Sequence, residues 1–178
     1  MNEKTASERQ TAGNEMFEGH GTAEERRLWA SWLDETTADY WRHHRMYEIA
    51  ECLSHRKDAK WLTVGDGRFG LDSIRLRNRG IGNVVPSDIS EDLLSLAKHE
   101  GLVTDYHIQN AENMTLPDES YDFVFCKESY HHFSRPAIGL YEMLRVAREA
   151  VFLVEPNDPM CDRAPIVRLK HLVKRLIG

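Results

Sequence analysis

The spacing of apolar positions changes near residue 58 and divides the chain into two regions. Between residues 22 and 57, large side chains recur at steps of three and four, which is typical of one helix face. That face is formed by Trp29, Leu33, Thr36, Tyr40, His43, Tyr47 and Ala50. Residues 1–21 are mostly polar and show no sustained period. We therefore predict a flexible leader over residues 1–21 and a helical extension over residues 22–57.

Beyond residue 58, short apolar runs alternate with amphipathic segments. The runs predict five strands, at 61–64, 84–85, 106–108, 121–126 and 151–154. Helices are expected over 71–79, after Ser90 as N-cap, after Pro136, and again from Pro165. Pro86 is expected to end the second strand, because proline cannot donate to a sheet ladder. The alternation predicts an α/β domain over residues 58–178, with a mainly parallel sheet and helices on both faces.

Two candidate ligand-binding features follow the first two predicted strands. The first is the glycine cluster Gly65-Asp-Gly-Arg-Phe-Gly70. Glycines there let the backbone approach a ligand and aim helix N-terminal amides at it, although a plain tight turn is the alternative. The second is Asp88, where an acid about 20 residues beyond the glycines can accept hydrogen bonds from ribose hydroxyls. Helix capping beside Ser90 is the alternative role of Asp88.

Charge and cysteine content exclude several classes of function. The formal net charge is −6, so no overall basic field gathers nucleic acid. No apolar run is long enough to span a membrane, and the first twenty residues contain no signal-peptide core. Three widely spaced cysteines exclude a disulfide framework and a zinc ribbon, and no local spacing of ligand residues indicates a metal site. We expect a cytoplasmic protein.

Five motifs, in this order, carry a resemblance to a known enzyme family. They are Leu62-Thr-Val-Gly-Asp-Gly67, Ser87-Asp-Ile-Ser-Glu-Asp-Leu-Leu94, Asn110-Ala-Glu112 with Leu116-Pro117, Tyr121-Asp-Phe-Val124, and His131-His132 before Leu144-Arg-Val146. Over residues 40–160 the chain resembles the class I S-adenosylmethionine-dependent methyltransferases. The resemblance implies a Rossmann-like, doubly wound sheet and S-adenosylmethionine as the cofactor.

The resemblance also implies roles for individual residues. The cofactor would lie against the glycine loop, where Gly65, Asp66, Gly67 and Arg68 are the candidate binding residues. Asp88 would hold the ribose and Ile89 would lie against the adenine. Asn110 and Ala111 would address the adenine edge, and Lys127 would border the methionine end. Glu112 is a further candidate cofactor-binding residue.

Two positions depart from the family pattern. Thr63 stands where the family usually has an acid, and Phe69 stands where it has its third glycine. Asp66 is a candidate replacement for the missing carboxylate, and Arg68 a candidate partner of the cofactor's carboxylate. Ordinary surface charges are the alternative for both residues.

The loop after the fourth strand contains the candidate catalytic residues His131, His132 and Glu128. Methyl transfer to a hydroxyl benefits from a general base, and histidine titrates near working pH. The alternative is that one histidine packs on the next helix and the other is solvated. His43 is expected to be a packed histidine rather than a ligand. The acceptor is expected to be a small molecule or glycan-type compound, methylated at oxygen or nitrogen.

Two other functions remain open at this point. Thr63 and the short chain favour a non-catalytic nucleotide-binding or interaction module with the same fold. The spacing Gly65-x-Gly67-x-x-Gly70 also fits a nicotinamide-dependent oxidoreductase. The family's sheet has two strands beyond the fifth, so we expect either a C-terminally truncated domain or a homodimer covering the edge of strand five. The basic, amphipathic tail is expected to be a helix flanking the sheet, with a membrane-surface role as the alternative.

Overall fold

The computed structural model describes residues 17–155, apart from the side chains of residues 38 and 39. Its strands are β1 Lys60–Val64, β2 Asn83–Asp88, β3 His107–Ile108, β4 Tyr121–Lys127 and β5 Ala147–Val154. Its helices are α1 Ala23–Leu33, α2 Ala38–His44, α3 Glu48–Glu51, α4 Leu71–Asn78, α5 Asp92–His99 and α6 Pro136–Val146. Short 3-10 turns cover Arg45–Tyr47 and Tyr130–His132. Residues 1–16 of the predicted leader and the helix predicted from Pro165 lie outside the described residues.

All five described strands are parallel, in the order β3-β2-β1-β4-β5. The strand order reverses beside β1, which pairs with β2 on one side and β4 on the other. Ligands of open α/β sheets bind at such a switch point, beyond the carboxyl ends of the strands. The predicted doubly wound α/β fold is confirmed, and β5 forms an edge of the sheet within the described part of the chain.

Helices cover both faces of the sheet, because alternate residues of each strand point in opposite directions. On one face, Trp61 of β1 packs with Leu76 of α4 and Tyr47 of the N-terminal extension. On the other face, Leu62 packs with Met143 and Val146 of α6. The site-forming loops therefore stand on strands that are held from both sides.

Two predicted local features are wrong. Strand β2 runs through Pro86 to Asp88, so Pro86 does not end it. The carbonyl of Ser87 faces β1 and accepts from Gly65 N, so the neighbouring Pro86 faces the other side, where β3 pairs only with Ser87 and Asp88. Ser90 is not the N-cap of α5: that position belongs to Glu91, and Ser90 N instead donates to Asp88 Oδ1 at 2.9 Å.

The last residues of the predicted leader pack on the domain. Phe17 is fully buried and stacks on Phe69, with ring centroids 4.9 Å apart. Trp29 of α1 meets both rings edge-on. Phe69 has a φ of 61°, the left-handed conformation that glycine adopts most easily. Phe69 therefore adopts a backbone conformation that suits glycine, while its side chain packs against Phe17 and Trp29.

Candidate functional site

Two adjoining cavities lie at the carboxyl ends of the central strands. The first has a volume of about 380 Å³ and is bounded by the ends of β1, β2 and β3. The second, of about 440 Å³, lies between the glycine loop, the end of β4 and the N-terminal extension. Gly65, Ser129 and His132 line both cavities. Their volumes lie within the range of small-molecule sites.

At two positions of the glycine loop, neighbouring side chains lie too close to leave room for a Cβ. Gly65 has a φ of +76°, and a Cβ built there would lie 2.3 Å from Ser129 Oγ. A Cβ on Gly67 would lie 2.7 Å from the carboxylate carbon of Asp88. Gly67 and Asp88 both line a third cavity, which separates them from Trp29 and α5. A larger residue at Gly65 would displace the Ser129 side chain, and one at Gly67 would displace the Asp88 carboxylate.

Six of the predicted cofactor-binding residues line the first cavity together. They are Gly65 after β1, Asp88 and Ile89 at the end of β2, and Asn110, Ala111 and Glu112 after β3. Oδ1 of Asp88 accepts from Ser90 N at 2.9 Å, which fixes the carboxylate at the rim. Ile89 is 68% exposed and contributes an apolar side chain to the cavity wall. A carboxylate and an apolar wall facing one cavity suit a sugar joined to an aromatic base.

Asn110 and Glu112 shape the loop that follows β3. Asn110 Oδ1 accepts from Glu112 N at 2.9 Å, so the side-chain NH₂ is the group that can donate to a ligand. Both carboxylate oxygens of Glu112 accept from Arg135, one from its backbone N at 2.9 Å and one from Nε at 2.8 Å. These hydrogen bonds lower the pKa of Glu112. Glu112 thus ties the cavity wall to the residue preceding α6.

The carboxylate of Asp66 faces into the protein. It is 3% exposed and accepts from Thr63 Oγ1 at 2.7 Å and from the backbone N of Asp72 and Ser73, both at 2.9 Å. Burial, helped by the charge of Asp72, raises the pKa of Asp66 despite these hydrogen bonds. The contacts make Asp66 a capping residue for α4. Thr63, at the position of the family's acid, is its buried partner.

Lys127 and Glu128 connect the end of β4 to the N-terminal extension. Nζ of Lys127 lies 2.8 Å from Glu128 Oε2 and 3.6 Å from Asp72 Oδ1. His43 of α2 is buried, as expected, and its Nε2 lies 3.2 Å from the same Glu128 oxygen. Partial burial opposes ionisation of Glu128, but the hydrogen bond and charge of Lys127 outweigh it and lower the pKa. A general base works best with a pKa near the working pH, so this environment suits Glu128 better as a fixed negative charge.

Arg68 lies on the outer side of the second cavity. Its Cζ stands 5.0 Å from the ring centroid of Trp32, a cation–π contact that holds the guanidinium beside the glycine loop. This placement keeps Arg68 a candidate for contact with an anionic group in the second cavity.

His131 and His132 both line the second cavity, from the 3-10 turn after β4. Their rings are 4.0 Å apart between centroids. His131 Nδ1 lies 2.5 Å from Glu155 Oε2, whose other oxygen accepts from Tyr130 N at 3.1 Å. The structure therefore brings the two predicted histidines to the same cavity as Glu128 and Lys127.

Sequence reasoning missed several residues that border the cavities. Ser129 donates from Oγ to Gly65 O at 2.9 Å and joins β4 to the glycine loop. Gln109 lines the first cavity and pairs with Thr115 through both side-chain atoms. Trp32, Arg42 and Arg75 line the second cavity. Position after a strand end would have identified Ser129 and Gln109, whereas the other three depend on how the N-terminal extension docks.

One group of metal-ligand types comes together although no local spacing predicted it. His20, His99 and Glu100 place ligand atoms within 4.8 Å of one another. His99 Nδ1 lies 2.9 Å from Glu100 Oε1, and the His99 side chain is 74% exposed. A surface hydrogen bond accounts for this contact without an ion. Among the described residues, no helix has the length and apolar character needed to cross a membrane.

Comparison with known proteins gives consistent matches. Residues 62–154 match a family described as a methyltransferase domain. Demethylmenaquinone methyltransferase of Chlorobaculum parvum is 22% identical over 79% of this chain and 60% of its own length. The uncharacterized methyltransferase YcgJ of Bacillus subtilis is 28% identical over 66% of this chain and 48% of its own. The chain thus spans about half to three fifths of the length of these relatives.

A solved structure shares the fold over most of both chains. The S-adenosylmethionine-dependent methyltransferase of Aquifex aeolicus superposes with a TM-score of 0.55 and 19% identity, covering 77% of each chain. The family match includes the last three residues of β1, the glycine loop, Asp88, both histidines and β5. With more than half of its length in that match, this chain belongs to the class I S-adenosylmethionine-dependent methyltransferase family.

Proposed function

We propose that the protein transfers a methyl group from S-adenosylmethionine to a small-molecule or glycan-type acceptor, at oxygen or nitrogen. One observation carries the proposal: Gly65, Asp88, Ile89, Asn110 and Ala111 converge on a single cavity at the switch point of the sheet. This is the place where an open α/β sheet binds nucleotides. The family membership identifies the expected ligand as S-adenosylmethionine.

The residues present fit the cofactor. Asp88 would hold the ribose hydroxyls through its carboxylate, and Ile89 and Ala111 would lie against the adenine. The side-chain NH₂ of Asn110 would donate to the adenine edge. The methionine end would be held in the second cavity, where Glu128 is an ionised carboxylate that suits an ammonium group and Arg68 is a cation that suits a carboxylate.

The second cavity also receives the acceptor. When bound, S-adenosylmethionine would supply the methyl group for an in-line displacement by the acceptor's oxygen or nitrogen, with the electron pair of the broken carbon–sulfur bond left on sulfur. The protein orients the two partners and excludes water, which supplies much of the acceleration. His131 or His132 takes the proton that a hydroxyl or amine loses. A cytoplasmic location and a dimer covering the β5 edge remain predictions of the sequence.

The proposal is tested by calorimetric titration with S-adenosylmethionine, S-adenosylhomocysteine and NADH. We expect both adenosyl compounds to bind and NADH not to bind. Asp88→Ala removes the carboxylate that accepts hydrogen bonds from the ribose hydroxyls, and Gly67→Ala displaces the same carboxylate. Each variant should therefore bind the adenosyl compounds at least about tenfold more weakly, which is the effect of losing one charged hydrogen bond.

Two matched variants control for general damage. Asp105→Ala removes an exposed acid that pairs with Lys98 outside the cavities. Gly82→Ala adds a Cβ at an ordinary 3.4 Å from Lys57 O. Both should bind like the parent chain. If the folded protein bound neither adenosyl compound, the alternative function of a non-catalytic module would be favoured. The buried Thr63–Asp66 pair is the observation that supports this alternative, because Thr63 stands where the family usually has an acid. Binding of NADH alone would favour the oxidoreductase.

A further inference from the structure

His131, which lines the second cavity, forms a carboxylate–histidine pair with Glu155, and the two residues come from separate strand ends. Glu155 directly follows β5, and His131 lies in the 3-10 turn after β4. The residues are 24 positions apart in the chain, yet His131 Nδ1 lies 2.5 Å from Glu155 Oε2. The Glu155 side chain is 26% exposed and the His131 side chain 46% exposed. The pair is thus partly shielded from water, with the histidine on the open side.

The chemistry of the two groups fixes which imidazole nitrogen carries the proton. An ionised carboxylate has acceptor sites and no donor, so Nδ1 of His131 must donate to Glu155. A neutral imidazole has one N–H, so Nε2 then presents a lone pair. The second oxygen of Glu155 accepts from Tyr130 N at 3.1 Å, which holds the carboxylate against the same turn.

We propose that Glu155 is a positioning residue that keeps His131 in the Nδ1–H tautomer, so that Nε2 of His131 accepts the acceptor's proton. This inference rests on the proposed methyl transfer. As the acceptor's oxygen or nitrogen bonds to the methyl carbon, its proton moves to Nε2 of His131. The imidazolium formed is then balanced by the Glu155 carboxylate. Of the two neighbouring histidines, the contact with Glu155 therefore assigns the base to His131.

The tautomer is measured directly by long-range ¹H–¹⁵N correlation spectra of the imidazole rings in the ¹⁵N-labelled full chain, at a pH where histidines are neutral. His131→Ala identifies the signals. We expect the proton on Nδ1 in the parent chain. In Glu155→Ala it should move largely to Nε2, the form that neutral imidazole prefers when no partner holds Nδ1. In Glu155→Gln, the amide oxygen can still accept from Tyr130 N while the NH₂ faces Nδ1, so the proton should again move toward Nε2 although the strand end is kept.

Glu149→Ala is the matched control, because Glu149 is a glutamate on β5 that pairs with Arg56 at the protein surface. His99, with its Nδ1 at Glu100, is an internal reference outside the two cavities. A His131 proton on Nε2 in the parent chain would overturn the inference. An Nδ1 proton that survives in Glu155→Ala would overturn it as well.

A second readout separates this inference from the proposed function. Glu155→Ala should bind S-adenosylhomocysteine as tightly as the parent chain, while kcat for methyl transfer falls on the order of 10²-fold, as for loss of general-base catalysis, with KM nearly unchanged. If the parent chain bound no adenosyl compound, the proposed function would fail whatever the tautomer. If adenosyl compounds bound normally and the His131 tautomer were the same in the parent chain and in Glu155→Ala, only the present inference would fail.

Discussion

At the residue scale, Glu128 shows how the loop after β4 is specialised. Its φ is 52°, in the left-handed region that costs a residue with a side chain about 1–2 kcal/mol. Strained positions of this kind cluster at functional sites because the surroundings over-determine them. The carboxylate is held between Lys127 and His43, and so links the site to the N-terminal extension.

The lowered pKa of Glu128 predicts a pH-dependent contribution to stability. A carboxyl whose folded-state pKa lies below its ordinary value of 4.5 stabilises the fold above that pH. The contribution is lost as the pH falls through the lower folded-state pKa. Glu128→Gln has no such ionisation, so its deficit in the free energy of unfolding should be largest near neutral pH and shrink below pH 4.5. Solvent screening limits that deficit to about 1 kcal/mol or less.

Urea unfolding of both chains at a series of pH values measures this difference. Glu24→Gln, at an exposed position on α1, is the control and should run parallel to the parent chain. A Glu128→Gln deficit that grew on acidification would have the opposite sign and contradict the ion-pair interpretation.

At the scale of elements, the N-terminal segment is held by aromatic packing rather than by helix propensity. Phe17, Trp29 and Phe69 form one cluster with Leu96 and Ala97 of α5. Phe17→Ala should therefore lower the free energy of unfolding by about 3–5 kcal/mol, the usual cost of removing a buried phenylalanine side chain. Leu28→Ala, on an exposed position of α1, should cost less than about 1 kcal/mol.

Chemical denaturation measures both variants, and limited proteolysis locates the change. Cleavage within residues 17–22 should accelerate in Phe17→Ala alone. If Phe17→Ala unfolded like the parent chain, the packing of this segment on Phe69 would not contribute to the fold.

Sequence pattern was enough to predict the alternation of strands and helices, since each element has its own apolar period. It was not enough for Pro86, because the tolerance for proline depends on how short the neighbouring β3 is. Phe17 was missed because a single aromatic in a polar stretch has no period. The cap of α5 was placed one residue too early, at Ser90 instead of Glu91, because Ser90 N turns back to Asp88.

At the scale of the whole molecule, the sequence was enough to predict site residues that lie at the end of a single strand. It was not enough to predict contacts between residues from different segments of the chain. Asp88 and Ile89 lie at the end of β2, Asn110 and Ala111 follow β3, and the parallel sheet brings those ends to one edge. The contacts of His131 with Glu155 and of Glu128 with His43 join distant segments. Only the folded chain reveals such partners, because neither periodicity nor spacing encodes them.

The account depends most on where an adenosyl compound binds, and the direct measurement is a crystal structure of the chain with S-adenosylhomocysteine. We predict the ribose hydroxyls on the Asp88 carboxylate, the adenine between Ile89 and Ala111, and the sulfur facing the second cavity beside His131 and His132. The compound bound in the third cavity between α1 and α5, or ribose density away from Asp88, would contradict the account.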